Sequence, residues 1–206
     1  MEKNPYPGKC IVIEGLDGSG QTTQVNLLKD FLLQKGIEIF PTKEPTKNSE
    51  AGKRLRELLD KKTQASPREF QDLFAKDRVE HLRNEIIPAL QKGIWVISDR
   101  YFFTSFAYGV AQGVDLEYLI QINSEFLLPD LAFFLNVSPD VCIERIKERG
   151  TGFTYFERKT HFERAWKVFE LLAKRFENVF VIQGEQSIQK VAEDIQTIVK
   201  EKLLTV

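Results

Sequence analysis

Histidine, tryptophan and cysteine occur only twice each in the 206 residues, and methionine once. Two cysteines are too few for the disulfide framework of a small secreted scaffold. Cys10 and Cys142 both fall in apolar stretches, which reads as buried free thiols of a reducing compartment. No cysteine or histidine spacing suits a zinc site. An excess of one charge is missing too. The 29 basic residues face 30 acidic ones, a net charge of -1, so no broad electrostatic footprint invites a nucleic acid or an anionic membrane, and any phosphate site must be built locally. No apolar run approaches the roughly 18 residues of a membrane span. The segment Met1 to Gly8 holds no apolar stretch ahead of a cleavage site. A cytoplasmic, soluble protein is expected. With no internal repeat, low-complexity tract or linker, one domain over residues 1–206 is expected.

What the chain does have is an alternation of apolar runs and helical patterns. Lys9 to Glu14, Ile37 to Thr42, Ile94 to Ser98, Leu131 to Val137 and Val179 to Gln183 are near-continuous in branched and aromatic residues, as strands buried on both faces of a parallel sheet are. Between them, Thr22 to Lys35 carries Val25, Leu28, Phe31 and Leu32 on one stripe and ends at Gly36. Ser66-Pro67-Arg68-Glu69 supplies an N-cap, a proline at the first helical position and a glutamate at the third. It predicts a helix toward Lys92-Gly93, bent near Pro88. Further helices are predicted over Ala51 to Lys61, Phe103 to Ala111, Leu116 to Leu127, Pro139 to Arg149, Thr160 to Phe176 and Ile188 to Leu203. The β-α order predicts a doubly wound α/β fold, a five-stranded parallel sheet flanked by helices.

The strongest chemical signal is Gly15-Leu16-Asp17-Gly18-Ser19-Gly20-Gln21-Thr22-Thr23, directly after the first strand and opening the first helix. Glycines let successive backbone N–H groups turn toward phosphate oxygens, and the helix N-terminus adds a partial positive charge. This is a P-loop pattern, with Thr22 where a hydroxyl ligates Mg²⁺. Its lysine is missing. Gln21 stands there, and a neutral amide can donate hydrogen bonds but cannot offset charge during phosphoryl transfer. Arg145, Arg149, Arg158 and Lys159 are the candidate replacements. Ser98-Asp99-Arg100-Tyr101 closes the third predicted strand at the edge where open α/β sheets place ligands. Asp99 suits a metal's water shell and Arg100 a bidentate grip on phosphate. The same residues also fit a helix cap followed by a surface arginine.

Four blocks in order carry a resemblance over essentially the whole chain. They are Glu14 to Gly20, Lys43-Glu44-Pro45, Leu73-Phe74-Ala75-Lys76-Asp77-Arg78, and Asp99-Arg100-Tyr101 continuing through Thr104-Ser105-Phe106-Ala107-Tyr108. Together they resemble the thymidylate kinases, P-loop nucleoside-monophosphate kinases. The resemblance implies ATP and Mg²⁺ as donor and metal, dTMP as acceptor, and a homodimer formed through packed helices. It also implies that Phe74 stacks on thymine, that Arg78 and Arg100 hold the acceptor phosphate, and that Asp17 approaches the sugar 3′-hydroxyl. Glu44 would organise the site near metal and sugar, and Thr104, Ser105 and Tyr108 would line the base pocket. Read alone, Phe74 fits the apolar stripe of Phe70 and Leu73 as a core residue, and Arg78 fits a solvated helix face.

Residues 145–159 resemble a kinase lid, which closes over the donor and excludes water. Arg145 and Arg149 match family positions, although both also suit a charged helix face with Glu144 and Glu148. Beyond Gln21, the sequence departs from the family at Gly109, where a glutamine after Ala-Tyr is usual and Gln112 is the nearby substitute. It departs again at Phe153-Thr154-Tyr155-Phe156, which lacks the usual lid Asp-Arg, leaving Arg158 as a substitute. Three functions therefore compete: phosphoryl transfer from ATP to dTMP, a kinase for another nucleotide or a deoxynucleoside, and a nucleotide-binding protein without catalysis.

Overall fold

A computed structural model gives the architecture for residues 1–60, 62–150 and 159–204. In chain order the strands are β1 (Glu2–Lys3), β2 (Cys10–Gly15), β3 (Ile39–Lys43), β4 (Trp95–Asp99), β5 (Leu127–Leu128), β6 (Leu131–Asn136) and β7 (Val179–Gln183). The helices are α1 (Gln21–Gln34), α2 (Glu50–Leu59), α3 (Pro67–His81), α4 (Ile87–Gln91), α5 (Phe102–Ala111), α6 (Leu116–Ile122), α7 (Pro139–Glu148), α8 (Lys159–Arg175) and α9 (Ile188–Val199).

Five strands form one parallel sheet in the order β3-β4-β2-β6-β7. The alternation of side chains along β2 explains why it is apolar throughout. Cys10 and Val12 enter one core with residues of α3, α5, α7 and α8, while Ile11 and Ile13 enter another with residues of α1 and α9. A strand buried on both faces has no polar side to show. The sheet is thus doubly wound, as expected. Its register brings Lys43 opposite Asp99 and Ile13 opposite Asp99, so the ends of β2, β3 and β4 share one edge.

Three predicted elements are corrected. The helix from Leu116 ends at Ile122 rather than Leu127, because the Asn123 side chain turns back to the Leu119 carbonyl and Leu127–Leu128 pairs with Glu2–Lys3. The long helix after Ser66 keeps its capping box but passes through a π-helical turn, Leu82–Ile86, just ahead of Pro88. A proline removes a backbone donor, and a widened turn absorbs the mismatch. The last helix likewise leaves α geometry at Lys200 for a π turn, Lys200–Leu204. Among the described residues no helix is long and apolar enough to cross a membrane.

Candidate active site

The loop between β2 and α1 has the backbone that its glycines predict. Gly18 sits at φ 89°, and a Cβ there would meet the Cys142 carbonyl oxygen at 2.5 Å. Only glycine fits both constraints. Gly20 at φ 101° stands at the N-cap of α1, which has neither a side-chain cap nor an acid in its first turn. The first N–H groups of α1 are thus left for an external anion, with the helix dipole behind them. Ser19 Oγ is buried without a partner. Leu16 is fully buried, so only its backbone can serve a ligand, whereas Thr22 and Thr23 are exposed at the helix entrance.

Gln21, in the lysine position, is folded inward. It is 5 % exposed, its Nε2 donates to the Gly15 carbonyl at 3.1 Å, and its Oε1 accepts from Arg100 at 3.0 Å. Arg100 itself has φ 78°, a left-handed backbone rare for an L side chain and costing on the order of 1 kcal/mol. Its N–H donates to the Ile13 carbonyl and its carbonyl accepts from Ser98 Oγ, which hold that turn. The guanidinium donates to Asp17 at 2.5 Å and Thr104 at 3.1 Å. Burial opposes its charge, but Asp17 beside it keeps the guanidinium firmly protonated. Asp17 also receives the Tyr108 hydroxyl at 3.3 Å and donates its own N–H back to that oxygen at 3.0 Å.

Asp99 is 3 % exposed. One oxygen accepts from Thr22 Oγ1 and from Lys43 Nζ at 2.7 Å, while Oδ1 has no partner. An orphaned carboxylate oxygen beside a P-loop hydroxyl fits a hard divalent ion sharing its shell with phosphate oxygens and water. Among the described residues no cluster of three or more His, Cys, Asp or Glu forms an all-protein metal cage.

Glu44 lines the cleft yet is only 2 % exposed. Arg78 Nε donates to it at 2.8 Å, and His81 Nδ1 lies 3.2 Å from its other oxygen. Arg78, 1 % exposed, also donates to Asn123 and to Ser105 Oγ. One expectation for Arg78 is corrected here: it is no solvated helix residue, for its guanidinium is buried against Glu44, Asn123 and Ser105.

Asp17, Gln21, Thr22, Lys43, Phe74, Arg100, Thr104, Ser105, Tyr108 and Arg149 line one cleft of about 820 Å³. Phe74 is half-buried, edge-on to Phe70 at 5.1 Å, so it is both core neighbour and cleft wall. Gln71 lines the same cleft at 1 % exposure with its Oε1 unpartnered, and a Cβ on Gly109 would meet the Gln71 side chain at 3.2 Å. The amide beside Gly109 is therefore Gln71, not Gln112, which does not line the cleft. Spacing within the Ala-Tyr block could not reveal it, because Gln71 comes from α3. Lys43 was equally hidden, being read only as part of a motif. Arg145 and Arg149 line an adjoining recess of about 180 Å³, and Arg145 reaches the carbonyls of Ser19 and Gly184 at 3.5 Å. Lys159 is paired with Asp140 at 2.6 Å on the surface; Arg158 lies outside the described residues. Both thiols are buried and free, and burial pushes Cys142 up to about 12, so neither is a nucleophile.

Comparison with known proteins agrees with this geometry. A model of the family described as Thymidylate kinase matches residues 13–195. A "Probable thymidylate kinase" of Pyrococcus horikoshii is 41 % identical over 203 residues, covering 96 % of this chain and 98 % of the relative. Its counterpart in Pyrococcus abyssi is 40 % identical over the same coverage. A "Thymidylate kinase" of Caldicellulosiruptor saccharolyticus is 35 % identical over 208 residues, 95 % of this chain and 98 % of the relative. With a glycine loop, an acid and arginine at the strand edge and full-length likeness in agreement, the chain belongs to the thymidylate kinase family.

Proposed function

We propose that the chain transfers the γ-phosphoryl group of ATP to dTMP, giving dTDP and ADP. The observation that carries this reading is the single cleft that joins an uncapped, glycine-turned helix N-terminus to Arg100 and to a pocket walled by Phe74, Ser105 and Tyr108. Such a reaction needs little covalent chemistry from the protein. It needs two phosphates brought in line, their charge offset and water excluded.

Within that reading, the N–H groups of Gly18 and of Gly20 to Thr23 cradle the donor phosphates. Thr22 and Asp99 would hold Mg²⁺, which would offset the negative charge of those phosphates. Arg100, aimed by Asp17 and Gln21, grips the acceptor phosphate, and Tyr108 keeps Asp17 near the sugar. Phe74 offers an aromatic surface to the base, and the Gln71 amide, buried and unsatisfied on its oxygen, meets the hydrogen-bonding edge of the ring. Arg78 acts one step back, fixing Glu44 and Ser105. Arg145 and Arg149 face the donor, and residues 151–158 of the expected lid lie outside the described residues. A homodimer and a cytoplasmic location complete the proposal.

The test is a coupled assay of the purified protein with ATP and Mg²⁺, offering dTMP, dUMP, dCMP, dGMP and thymidine in turn. Preference for dTMP is the expected result. A different preferred acceptor would move the substrate, and ATP binding without turnover of any monophosphate would sink the kinase reading. Light scattering with size-exclusion chromatography checks the dimer.

A further inference from the structure

A P-loop without its lysine has to find positive charge elsewhere, and Gln21 does not provide it. Both ends of its amide are engaged inside the protein, on Gly15 and Arg100. A cation stands beside the loop on a different strand. Lys43, the last residue of β3, places Nζ 2.7 Å from Asp99 Oδ2 and 3.4 Å from Thr22 Oγ1. Its side chain is 57 % exposed and lines the cleft. Of the other cations lining this cleft among the described residues, Arg100 is tied to Asp17 and Gln21 and Arg56 donates to the Thr46 carbonyl, while Lys47 and Arg149 make no bond to Thr22 or Asp99.

The position of Lys43 is informative because its partners, Thr22 and Asp99, are the two groups assigned to the metal. An ammonium and a divalent ion cannot share them without strong repulsion. On a flexible four-carbon stem, the ammonium is the member of the pair that can leave. Phosphate oxygens cradled by the N-terminus of α1 are the nearest anions it would then meet.

We infer that Lys43 supplies the cation missing at Gln21, its ammonium passing from Asp99 to the terminal phosphates of the donor nucleotide as the metal takes its place. This makes Lys43 a catalytic residue of the reaction proposed above and rests on ATP being the donor. The acceptor does not enter the argument.

The deciding experiment measures ATP affinity by calorimetry in EDTA for wild type, Lys43→Met, Asp99→Asn and the double variant. With no metal present, Lys43→Met is expected to weaken ATP binding about tenfold in the Asp99→Asn background, where no carboxylate holds the ammonium, and by less beside the intact Asp99. Unchanged affinity on adding Lys43→Met to Asp99→Asn would overturn the inference, because Lys43 would then merely offset the Asp99 charge. With Mg²⁺ and dTMP, Lys43→Met should lower kcat about a hundredfold while Lys43→Arg keeps most of it. A kcat within threefold of wild type in Lys43→Met would equally overturn the inference. Since the calorimetric cycle uses no acceptor, a failure of the dTMP reading would leave its result standing.

Discussion

On the side of the cleft we assign to the acceptor, Glu44 takes Arg78 on one oxygen and has His81 beside the other, and Arg78 completes its bonds on Asn123 and Ser105. On the side we assign to the donor, Ser19 Oγ and Asp99 Oδ1 have no partner, and α1 begins without a cap. The first region is finished by the protein; the second is left to be finished by a ligand. That difference follows from what each half handles. An acceptor site that must discriminate gains from a wall held rigid by paired buried groups. A triphosphate and its metal bring their own charges, and a loop already satisfied would have to surrender bonds to receive them.

Breaking the finished side should cost the fold. Arg78→Ala leaves the buried Glu44 with only His81 beside it, and removing the charged partner of such a pair destabilises by about 3–5 kcal/mol. Urea unfolding should show a lower midpoint with an unchanged slope; a loss below about 1 kcal/mol would mean water reaches Glu44 and the wall is not rigid. Removing a group proposed to face the ligand should cost turnover instead. Arg100→Ala removes a phosphate grip, and kcat/KM for dTMP should fall about a hundredfold to a thousandfold. The left-handed backbone at that position, φ 78°, gains nothing from alanine, so the melting temperature should drop modestly as well.

The same contrast governs how much could be read from sequence. All five strands of the sheet follow from their unbroken apolar runs, and the P-loop from its glycines, because those signals are local. The capping box at Ser66 and Glu69 was equally legible. What escaped depends on contacts between distant segments. The helix from Leu116 stops early because Leu127 pairs with Glu2, a partner over a hundred residues away. Arg78 looks solvated on its own helix because three of its partners, Glu44, Ser105 and Asn123, come from elsewhere in the chain. Lys43 and Gln71 take their meaning from Asp99 and Gly109, which no spacing rule connects to them.

Gln71 sharpens the comparison, for it is an unsatisfied amide oxygen on the otherwise finished side. Gln71→Leu should raise the KM for dTMP about tenfold while leaving kcat within a few-fold, since a lost hydrogen bond to a neutral group is worth about 1 kcal/mol. A change in kcat alone would separate Gln71 from base binding.

The last expected effect, read from pH rather than from turnover, lies at the junction of the two sides. Glu14, at the end of β2, accepts from the Tyr101 N–H at 2.9 Å and from Thr104 Oγ1, and burial pushes its carboxyl up to about 8 against a usual value of 4.5. Between those two pH values the folded chain holds a proton that the unfolded chain has released. Rising pH therefore favours unfolding across this window, and the loss is complete only above about pH 8. Glu14→Gln keeps the shape and removes the titration. Its melting temperature relative to wild type should climb steadily from about pH 5 to about pH 8 and then level off. A difference that stays constant across the range would mean Glu14 remains ionised when folded. The nearby Arg100 guanidinium, not burial, would then set its charge, and the boundary between the finished and the open side would have to be redrawn to include it.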